Sequence, residues 1–433
     1  MNLTNLSLRL NGYAIAAAKK KLEHLNKKVA LNQEAYSHHM RTEILEFHIK
    51  NNLFYRNFVG KKPIEWESLP ILTKADLQQP LSKRLSDGFS ENTSHVHKTS
   101  GSSGNPFIFA KDKFCHALTW ASIQHLYVRE GVNLSNSYEA RFYGMPENGF
   151  AHYKERLKDL LSNRHRFSIF DASEENFENF IKHFKKKKFG HLNGYTSTFV
   201  LFAQYLRSKN QILKELCPSL THCIVTAEML MKEDQLLLEQ QFGIPVLNEY
   251  GSSETGVIAF GKAGESLKID SALLYVEILN EENKPVKPGE SGKIIITSLF
   301  NKVHPFIRYQ IGDLGILEYD ENKAPFLTNL EGRVGDYALL PDGKKVPALA
   351  FYYVTKTIIN DSSSVKEFTI TQSKPNTFDV IYVANTGFTE LETKKIRAAL
   401  IRYLGQNLQI NLIKKEVLDR SKRGKIKQFK RTF

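Results

Sequence analysis

A polar stretch with two glycines, Lys98-Thr-Ser-Gly-Ser-Ser-Gly-Asn-Pro106, has the composition of a phosphate-binding loop. Glycines let the backbone approach a polyanion closely, and consecutive amides and hydroxyls can donate hydrogen bonds to phosphate oxygens. The stretch lacks the Gly-Lys-Ser/Thr ending of the loop that P-loop NTPases carry. Taken alone, a Ser/Gly cluster of this kind is more often a surface turn. Its interpretation therefore depends on the other polar segments of the chain.

The segment Glu249-Tyr-Gly-Ser-Ser-Glu254 is a second candidate binding site, and we expect it to form a loop after the apolar run at Val246. Tyr250 could stack on a purine, and Glu254 could bind a Mg²⁺ ion that bridges phosphates. A plain turn with a solvated glutamate would have the same composition, so the segment alone leaves both interpretations open.

A third segment, Phe306-Ile-Arg-Tyr-Gln-Ile-Gly-Asp313, offers one cation and one carboxylate in a predicted loop. Arg308 could donate hydrogen bonds to an anion. Asp313, which follows a glycine, could accept hydrogen bonds from two vicinal hydroxyls, as a carboxylate does for ribose. A salt bridge at a domain edge is the structural alternative.

Two basic positions lie further along the chain. Arg333 follows Gly332 at a predicted domain boundary, from which it could reach either domain, and Lys425 follows Gly424 in a basic C-terminal segment. Most lysines in such a segment are simply solvated, so Lys425 gains meaning only together with the earlier motifs.

The chain between Phe114 and Asn248 alternates helical and strand-like patterns. Phe114–Glu130 has the apolar spacing of an amphipathic helix that ends near Gly131, whereas His222–Thr226 and Ile244–Asn248 are short runs typical of buried strands. This alternation predicts an α/β fold with a mostly parallel sheet, in which the strand ends and the loops after them carry the ligand. The residues before about position 60 have helical spacing instead.

From about Leu273 the pattern becomes β-rich. Tyr275–Leu279 and Lys293–Thr297 predict antiparallel strands joined by a Pro/Gly-rich turn. A boundary near Glu331–Asp336 divides a large multi-layer α/β domain with a β-rich part, residues 1–330, from a small α+β domain, residues 331–433. Residues 1–95 form the helical N-terminal part of the large domain. The small domain is predicted to contain a helix at Leu349–Ile359, strands at Glu367–Thr371 and Phe378–Val383, a helix at Leu391–Leu404 and a basic tail.

The charge and cysteine content narrow the class of protein. The 433 residues contain 60 Lys and Arg against 46 Asp and Glu, a net charge of +14 that favours anionic partners such as nucleotides, phosphates or acidic proteins. Part of this excess lies in two exposed-looking runs, Lys185–Lys188 and Arg420–Arg431, so nucleic-acid binding is not expected. The three cysteines give no disulfide framework. Cys217, His222 and Cys223 could bind a metal, although packing is the favoured interpretation.

We expect a cytoplasmic protein. Few cysteines suit a reducing compartment. No apolar run approaches the roughly 18 residues that span a bilayer, and the short apolar segment at Tyr13–Ala18 precedes its lysines, unlike a signal peptide.

Taken together, the motifs resemble those of the AMP-forming adenylating superfamily of acyl-CoA synthetases, and most closely its phenylacetate-CoA ligase branch, which includes CapK-like proteins. The resemblance covers about 330 residues from Lys98 onward. One Ser/Gly loop is weak evidence, but five motifs in matching order are specific. They are Thr99–Gly104, Tyr250–Glu254, Arg308–Asp313, Gly332-Arg333 and Gly424-Lys425, with supporting segments at Gly194–Ser197, Thr226–Glu228 and Pro288–Glu290.

The resemblance implies a role for each motif. The opening loop would hold the β- and γ-phosphates of ATP, Tyr250 would pack on adenine, Glu254 would ligate Mg²⁺ and Asp313 would bind the ribose. Arg333 would lie near the α-phosphate or ribose, and Lys425 would be the catalytic lysine on a small, mobile lid domain. The implied ATP-binding residues are Thr99, Ser100, Gly101, Ser102, Ser103, Gly104, Glu249, Tyr250, Gly251, Ser252, Arg308 and Asp313.

The sequence departs from the superfamily at two positions. Asn105 stands where many members have lysine, which removes a counter-charge that Lys98 or Lys111 could replace. Gly335 stands at the hinge position, often Asp or Lys, with Asp336 beside it, and glycine could still act as a pivot.

The expected activity is ATP-dependent activation of a carboxylic acid to an acyl-adenylate, with release of pyrophosphate and transfer to CoA as a thioester. Tyr143, Tyr195 and Ala227 could line the acyl pocket, and an aromatic or medium-sized acid would fit, although core packing explains the same residues. A carrier protein, an amine or a glycan precursor could replace CoA as acceptor. A non-catalytic nucleotide- or nucleic-acid-binding protein is the alternative from another class. The oligomeric state is open, and a dimer fits the sequence.

Overall fold

The computed structural model describes residues 3–60, 65–98, 107–134, 137–144, 149–167, 174–333, 337–343, 345–347, 365–384, 386–418 and 429–433. The chain divides into two compact units. The large unit comprises Met1–Ile311 and Gly315–Leu330, and the small unit comprises Gly312–Leu314 and Glu331–Phe433. Among the described residues no helix has the length and apolar character that a bilayer crossing requires.

The N-terminal part is helical, as the apolar spacing predicts. Its helices are α1 (Thr4–Leu10), α2 (Ile15–Leu31), α3 (Gln33–Asn51) and α4 (Leu53–Val59). Two asparagines cap helices in this part: Asn32 accepts from the Ala35 amide at 2.9 Å and Asn52 from the Tyr55 amide at 2.8 Å.

A β-hairpin and a long helix follow. Strands β1 (His95–Lys98) and β2 (Ile108–Lys111) pair antiparallel, with Lys98 opposite Ile108, so the opening loop connects the paired ends of two adjacent strands. Helix α5 (Lys113–Arg129) begins directly after the hairpin, where the Asp112 side chain accepts from the Cys115 amide at 2.7 Å.

The parallel half of the large sheet contains β3 to β7, with helices between consecutive strands. Strand β3 pairs parallel with β4 and β5, β5 with β6, and β6 with β7. Buried aromatic side chains between this sheet and its helices form the core, among them Phe142, Phe184 and Phe199. In chain order the elements are β3 (Glu139–Phe142), α6 (Gly149–Leu161), β4 (Arg164–Phe167), α7 (Glu174–Lys186), β5 (His191–Tyr195), α8 (Thr196–Ser208), α9 (Leu213–Leu216), β6 (His222–Thr226), α10 (Lys232–Phe242) and β7 (Val246–Ser252).

The same sheet continues into the β-rich part. The remaining strands are β8 (Gly256–Lys262), β9 (Leu267–Ile269), β10 (Leu274–Leu279), β11 (Ser291–Ser298), β12 (Tyr309–Tyr319) and β13 (Pro325–Arg333). The sheet of 11 strands has the order β10-β11-β12-β13-β9-β8-β7-β6-β5-β3-β4. The predicted antiparallel pair is confirmed, because β10 and β11 pair from Leu274 opposite Ser298 to Leu279 opposite Lys293.

Two predicted loops are strands instead. Residues Glu249–Ser252 belong to β7, and Tyr309–Asp313 belong to β12. In the first case β7 runs on past Asn248 because it pairs antiparallel with β8, and this long-range pairing outweighs the local turn signal of Gly251 and the serines.

The small unit is built on a four-stranded sheet and one described helix. Its elements are β14 (Tyr337–Leu339), β15 (Lys345–Pro347), β16 (Val365–Lys374), β17 (Thr377–Ala384), α11 (Glu390–Leu404), β18 (Gln409–Lys415) and β19 (Phe429–Arg431). Strands β14 and β15 pair antiparallel on either side of Asp342-Gly343, a dipeptide typical of hairpin turns. The predicted basic tail contains two strands, since β18 pairs parallel with β17 and β19 with β16. The helix predicted at Leu349–Ile359 lies outside the described residues.

The predicted fold class is confirmed: a large mixed α/β unit with an extended sheet and a smaller α+β unit.

Candidate active site

The carboxyl ends of adjacent parallel strands bring together the three residues predicted for the acyl pocket. Tyr143 directly follows β3, Tyr195 ends β5 and Ala227 directly follows β6. The rings of Tyr143 and Tyr195 lie 4.9 Å apart between centroids at an interplanar angle of 58°. Tyr195 is 4% exposed and belongs to the aromatic core, whereas Tyr143 is partly buried at the edge of the sheet where ligands bind in α/β folds.

Ala227 has a left-handed backbone with a φ of 69°, which is unfavourable for a residue with a Cβ. The next residue, Glu228, accepts a hydrogen bond from the Ser197 amide at 2.8 Å, near the beginning of α8. This bond ties the loop after β6 to the first turn of α8, which directly follows β5. The strained conformation at Ala227 is therefore held in place beside the tyrosine pair, as occurs at functional sites.

Glu249 is the centre of a hydrogen-bond network that includes Tyr143 of the tyrosine pair. Its carboxylate accepts from the Tyr127 hydroxyl at 2.6 Å and from the Thr226 hydroxyl at 2.9 Å. Asn193 donates to the Tyr127 oxygen at 3.0 Å and accepts from the Tyr143 hydroxyl at 2.8 Å. We call Tyr127, Tyr143, Asn193, Thr226 and Glu249 the Glu249 network, which connects α5 with three strands of the sheet.

Burial dominates the electrostatics of this network. Desolvation raises the pKa of Glu249, while the hydrogen bonds from Tyr127 and Thr226 and the charge of Arg141 lower it. Desolvation and the neighbouring Glu249 carboxylate hold the pKa of Tyr127 well above its ordinary value, so this hydroxyl stays protonated and remains a donor. The guanidinium of Arg141 lies 4.5 Å from the centroid of the Tyr143 ring and 3.6 Å from Glu139. The network is thus one carboxylate surrounded by neutral donors.

The turn between β7 and β8 carries Glu254 on a rigid backbone. At Gly251 a Cβ would lie 2.6 Å from the Gly256 carbonyl oxygen, so only glycine fits this close pairing of strands. Ser252 accepts from the Thr255 amide at 3.1 Å, and the two hydroxyls are 2.9 Å apart. Glu254 is partly buried within this turn. Tyr250, one residue before Gly251, packs against the apolar core of the large unit.

The donor set at this turn fits a metal ion shared with a ligand. Among the described residues no group of three or more His, Cys, Asp or Glu side chains could hold a metal ion. Mg²⁺ commonly binds one or two carboxylates and completes its shell with water and substrate phosphates. The partly buried Glu254 carboxylate is compatible with that arrangement.

Arg308 occupies a structural position. Its side chain is 1% exposed, its NH1 donates to the carbonyls of Glu67 and Leu69 at 2.8 Å, and its NH2 lies 3.2 Å from the Glu277 carboxylate. These protein acceptors use the guanidinium that we expected to donate to ATP. We therefore propose a structural role for Arg308 and leave it out of the proposed ATP site.

The other predicted residues are placed as follows. Asp313 lies in β12, partly buried and next to Gly312, whose φ is 93°. Arg333 ends β13. The residues Thr99, Ser100, Gly101, Ser102, Ser103, Gly104, Asn105, Gly335 and Lys425 lie outside the described residues.

Sequence reasoning missed the partners of Glu249. Tyr127 lies in the segment Phe114–Glu130, which the sequence predicts only as an amphipathic helix, and it is 122 residues from Glu249 in the chain. Asn193 carried a usable signal, because it is a polar residue within the buried strand β5 and directly precedes Gly194. The alternative of a metal at Cys217, His222 and Cys223 has no support in the described residues, where the Cys217 thiol lies 3.4 Å from the Lys187 carbonyl.

Comparisons with known proteins address the same region. The profile of the family described as AMP-binding enzyme matches residues 160–300. A 2-hydroxyisobutyryl-CoA ligase in the postadenylation state with 2-HIB-AMP aligns with a TM-score of 0.68 at 16% identity, covering 91% of this chain and 88% of that chain. The fold is that of an adenylate-forming enzyme. The sequence matches no curated protein.

Two other structures share the adenylate-forming fold. The amide bond synthetase McbA from Marinactinospora thermotolerans has a TM-score of 0.53 at 13% identity, covering 78% of this chain and 69% of that chain. The anthranilate CoA ligase AuaEII in complex with anthranoyl-AMP has a TM-score of 0.53 at 14% identity, covering 76% and 64%. The shared fold and the matching profile agree with the predicted superfamily, whereas the phenylacetate-CoA ligase branch stays a prediction. The matched range 160–300 includes Tyr195, Ala227, Glu249, Tyr250 and Glu254.

Proposed function

We propose that this protein activates a carboxylic acid with ATP, forming an acyl-adenylate and pyrophosphate, and then transfers the acyl group to CoA as a thioester. The observation that carries the proposal is the convergence of Tyr143, Tyr195, Ala227 and the Glu249 network at the carboxyl ends of parallel strands in an adenylate-forming fold. This is the edge at which such sheets bind ligands.

In the proposed site, ATP lies across residues from several segments. Residues Thr99 to Gly104 would contact the β- and γ-phosphates, the ring of Tyr250 the adenine, and the carboxylate of Asp313 the ribose hydroxyls. Arg333 would lie near the α-phosphate. The carboxylate of Glu249 is already satisfied by Tyr127 and Thr226 and would shape the pocket below the nucleotide.

Charge stabilisation is the main catalytic requirement of the proposed reaction. A carboxylate that attacks a triphosphate meets like-charge repulsion, so cationic groups aimed at the α-phosphate lower the barrier. We assign this role to Lys425 on the small domain, residues 331–433, which would also rotate about Gly335 between the two half-reactions. A Mg²⁺ ion held by Glu254 would neutralise phosphate charge when bound.

The acid-binding part of the site favours a substrate of moderate size. Tyr143 is partly buried and packs beside Tyr195, and Ala227 is exposed directly after β6. We propose an aromatic or medium-sized carboxylic acid, bound against the tyrosine pair.

The acceptor in the second step distinguishes two versions of the proposal. CoA is the first candidate, and one structural neighbour is a CoA ligase with 2-HIB-AMP and CoA in the thioesterification state. Another neighbour is an amide bond synthetase, which supports the alternative in which an amine, a carrier protein or a glycan precursor accepts the acyl group. A non-catalytic nucleotide- or nucleic-acid-binding role remains the alternative from a different class.

Pyrophosphate release tests the proposal and its alternatives. The protein would be incubated with ATP, Mg²⁺ and a panel of aromatic and aliphatic carboxylic acids, with and without CoA. We expect acid-dependent pyrophosphate and, with CoA, an acyl-CoA product. Release of pyrophosphate without any acyl-CoA would favour another acceptor, and no release with any acid would contradict an enzymatic role.

A matched pair of variants separates true activity from contamination. Glu254→Gln removes the proposed Mg²⁺ ligand, whereas Glu265→Gln changes an exposed glutamate in the turn after β8. We expect Glu254→Gln to lower pyrophosphate release by roughly 10-fold or more, and Glu265→Gln to leave it unchanged.

A further inference from the structure

Four basic side chains lie close together on the β1–β2 hairpin, which flanks the opening loop, and on the first turn of α5. His95 and His97 alternate along β1 and therefore share one face of the hairpin, and Lys111 on β2 lies directly opposite His95. His116, in the first turn of α5, stacks on His95 with ring centroids 3.7 Å apart. We call His95, His97, Lys111 and His116 the basic cluster.

The hydrogen bonds of the two stacked rings differ in a way that matters for protonation. The indole NH of Trp120 donates to Nε2 of His116 at 3.1 Å, so this nitrogen must be unprotonated and His116 is a neutral imidazole. Nδ1 of His95 lies 2.8 Å from the hydroxyl of Tyr13, which can either donate or accept. Of the two rings, His95 can therefore gain a proton without losing its hydrogen bond.

The sequence around β1 and β2 is poor in acidic residues. The sequence contains no Asp or Glu from Asn92 to Lys111. Asp112 accepts from two backbone amides, those of Cys115 at 2.7 Å and Lys302 at 3.2 Å. Burial raises the pKa of the Cys115 thiol to about 12, so it stays neutral. The negative charge of Glu254 raises the pKa of Lys111, against the lowering effect of burial.

Burial and mutual repulsion keep His95 and His116 neutral without a ligand. Desolvation, His97 and Lys111 lower the pKa of His95 to about 4, and desolvation, His95, Lys111 and His97 lower that of His116 to about 3. Burial also lowers the pKa of Lys111, whose side chain is 4% exposed. An anion beside the basic cluster would raise the pKa of these histidines, because a nearby negative charge favours the protonated imidazole.

The basic cluster is adjacent to two parts of the proposed ATP site. Strand β1 leads directly into residues 99–106, and Lys111 interacts with Glu254. The turn with Glu254 packs on α5, since a Cβ at Gly256 would lie 2.7 Å from Cγ2 of Thr119. The sequence lacks a lysine in the loop itself, where Asn105 stands.

From this geometry we infer that the basic cluster is a pyrophosphate-binding subsite, in which Lys111 supplies a fixed positive charge and His95 takes up a proton from solvent as the anion binds. The inference rests on the proposed function and names the groups that would replace the missing loop lysine. The ligand class is a pyrophosphate group, either the terminal phosphates of ATP or the free product. The groups that face His95 are Tyr13 before α2, His97 on β1, Lys111 on β2 and His116 on α5, with Lys113 near Gly12 and Glu254 near Lys111.

Calorimetry with inorganic pyrophosphate tests the inference without catalysis. Titrations at about pH 6, close to the ordinary pKa of histidine, in two buffers with different ionisation enthalpies give both Kd and the number of protons taken up. For His95→Gln we expect a clear loss of proton uptake compared with the unchanged protein and a Kd weakened by roughly 10-fold. Lys111→Met should weaken Kd by at least as much, and Lys111→Arg should restore most of the affinity because it keeps the charge.

The matched control is His125→Gln. His125 is an exposed histidine on the same helix as His116; its Nε2 lies 3.2 Å from the Asn26 amide nitrogen, and it lies outside the basic cluster. It should leave Kd and proton uptake unchanged. Thermal unfolding of each variant identifies misfolding, and if Lys111→Met does not fold, His95→Gln and Lys111→Arg still decide the question.

Two outcomes would overturn the inference. The first is that His95→Gln takes up as many protons and binds pyrophosphate as tightly as His125→Gln. The second is that His95→Gln weakens AMP binding as strongly as pyrophosphate binding, because AMP lacks the terminal phosphates. Acid-dependent activity without this pyrophosphate binding would remove the inference and leave the proposed function, whereas His95-linked binding without any acid-dependent activity would do the reverse.

Discussion

Two polar regions of the large unit share one helix and differ in how their charges are balanced. Near the end of α5, Tyr127 belongs to the Glu249 network, where the carboxylate accepts hydrogen bonds of 2.6 and 2.9 Å from hydroxyls that stay neutral. Near its beginning, His116 belongs to the basic cluster, in which the charge of Glu254 acts on Lys111. In the first region, the Glu249 carboxylate has its hydrogen-bond partners within the protein. In the second region, we propose that a bound anion compensates the positive charge.

This difference indicates what each region does. A buried, hydrogen-bonded polar network fixes geometry, so the Glu249 network can hold the tyrosine pair and the loop after β6 in position. The positive charge of Lys111 attracts an anion, which suits the phosphate end of ATP. The adenylation reaction needs both features, a shaped acid pocket and a place for pyrophosphate charge.

The largest expected effect comes from a group outside both regions. Lys425→Ala should lower acyl-adenylate formation by roughly 10²-fold or more, because it removes the proposed cation at the α-phosphate. ATP binding should change much less. Single-turnover adenylation measures the first quantity, with Lys427→Ala as control in the same basic segment. Unchanged adenylation would remove Lys425 from its assigned role.

A substitution in the Glu249 network should lower the free energy of unfolding. Tyr127→Phe removes a donor to Glu249 and an acceptor of Asn193, leaving buried polar atoms with one partner fewer. We expect a loss of about 1–3 kcal/mol in the free energy of unfolding, measured by urea denaturation. Tyr153→Phe, at an exposed position on α6, is the control. Equal stability of the two variants would show that the network does not fix the pocket.

The affinity for ATP should depend on the proposed ribose ligand, Asp313, rather than on the Glu249 network. Asp313→Ala should weaken ATP binding by on the order of 10-fold, since hydrogen bonds to a charged group contribute about 1.5–3 kcal/mol. Calorimetry gives this Kd directly, with Glu318→Gln on the same strand as control. An unaltered Kd would count against ribose contact.

The pH dependence of stability should have opposite signs in the two regions. His116 has a folded pKa of about 3, set by burial and then by His95, Lys111 and His97, against an ordinary value of 6.5. The unfolded chain therefore binds more protons there, and this contribution to stability falls as pH drops below about 6.5. The pKa of Glu249 is raised by burial, so its contribution falls as pH rises above its ordinary value of 4.5.

His116→Gln tests the first of these signs. It should reduce proton uptake on unfolding by at most one proton between about pH 6.5 and pH 4.5, seen as a shallower decline of urea stability on acidification. His39→Gln, at an exposed histidine on α3, is the control. A decline as steep as in the control would show that His116 is not kept neutral by the fold.

The sequence predicted the elements whose signals are local. Strand β6 was predicted at His222–Thr226 and found there, and α5 begins and ends within one residue of its prediction, because a capping aspartate and a following glycine mark its limits. The predicted acyl-pocket residues do meet, because parallel strands place their carboxyl ends at one edge.

The parts that the sequence did not predict depend on distant partners. Strand β7 extends through Ser252 because β8 pairs with it. Arg308 is buried because Glu277 and the carbonyls of Glu67 and Leu69 surround its guanidinium. The basic cluster was not predicted because His95 and His116 are 21 positions apart in the chain, and no short motif indicates that their rings stack.

The central claim is that this protein forms an acyl-adenylate, and acid-dependent exchange of labelled pyrophosphate into ATP measures that step alone. The reversal requires enzyme, ATP, Mg²⁺ and an acid but no CoA. We predict exchange with at least one aromatic or medium-sized carboxylic acid and none without acid. Absence of exchange across the whole panel, with protein that is folded and binds ATP, would contradict the account.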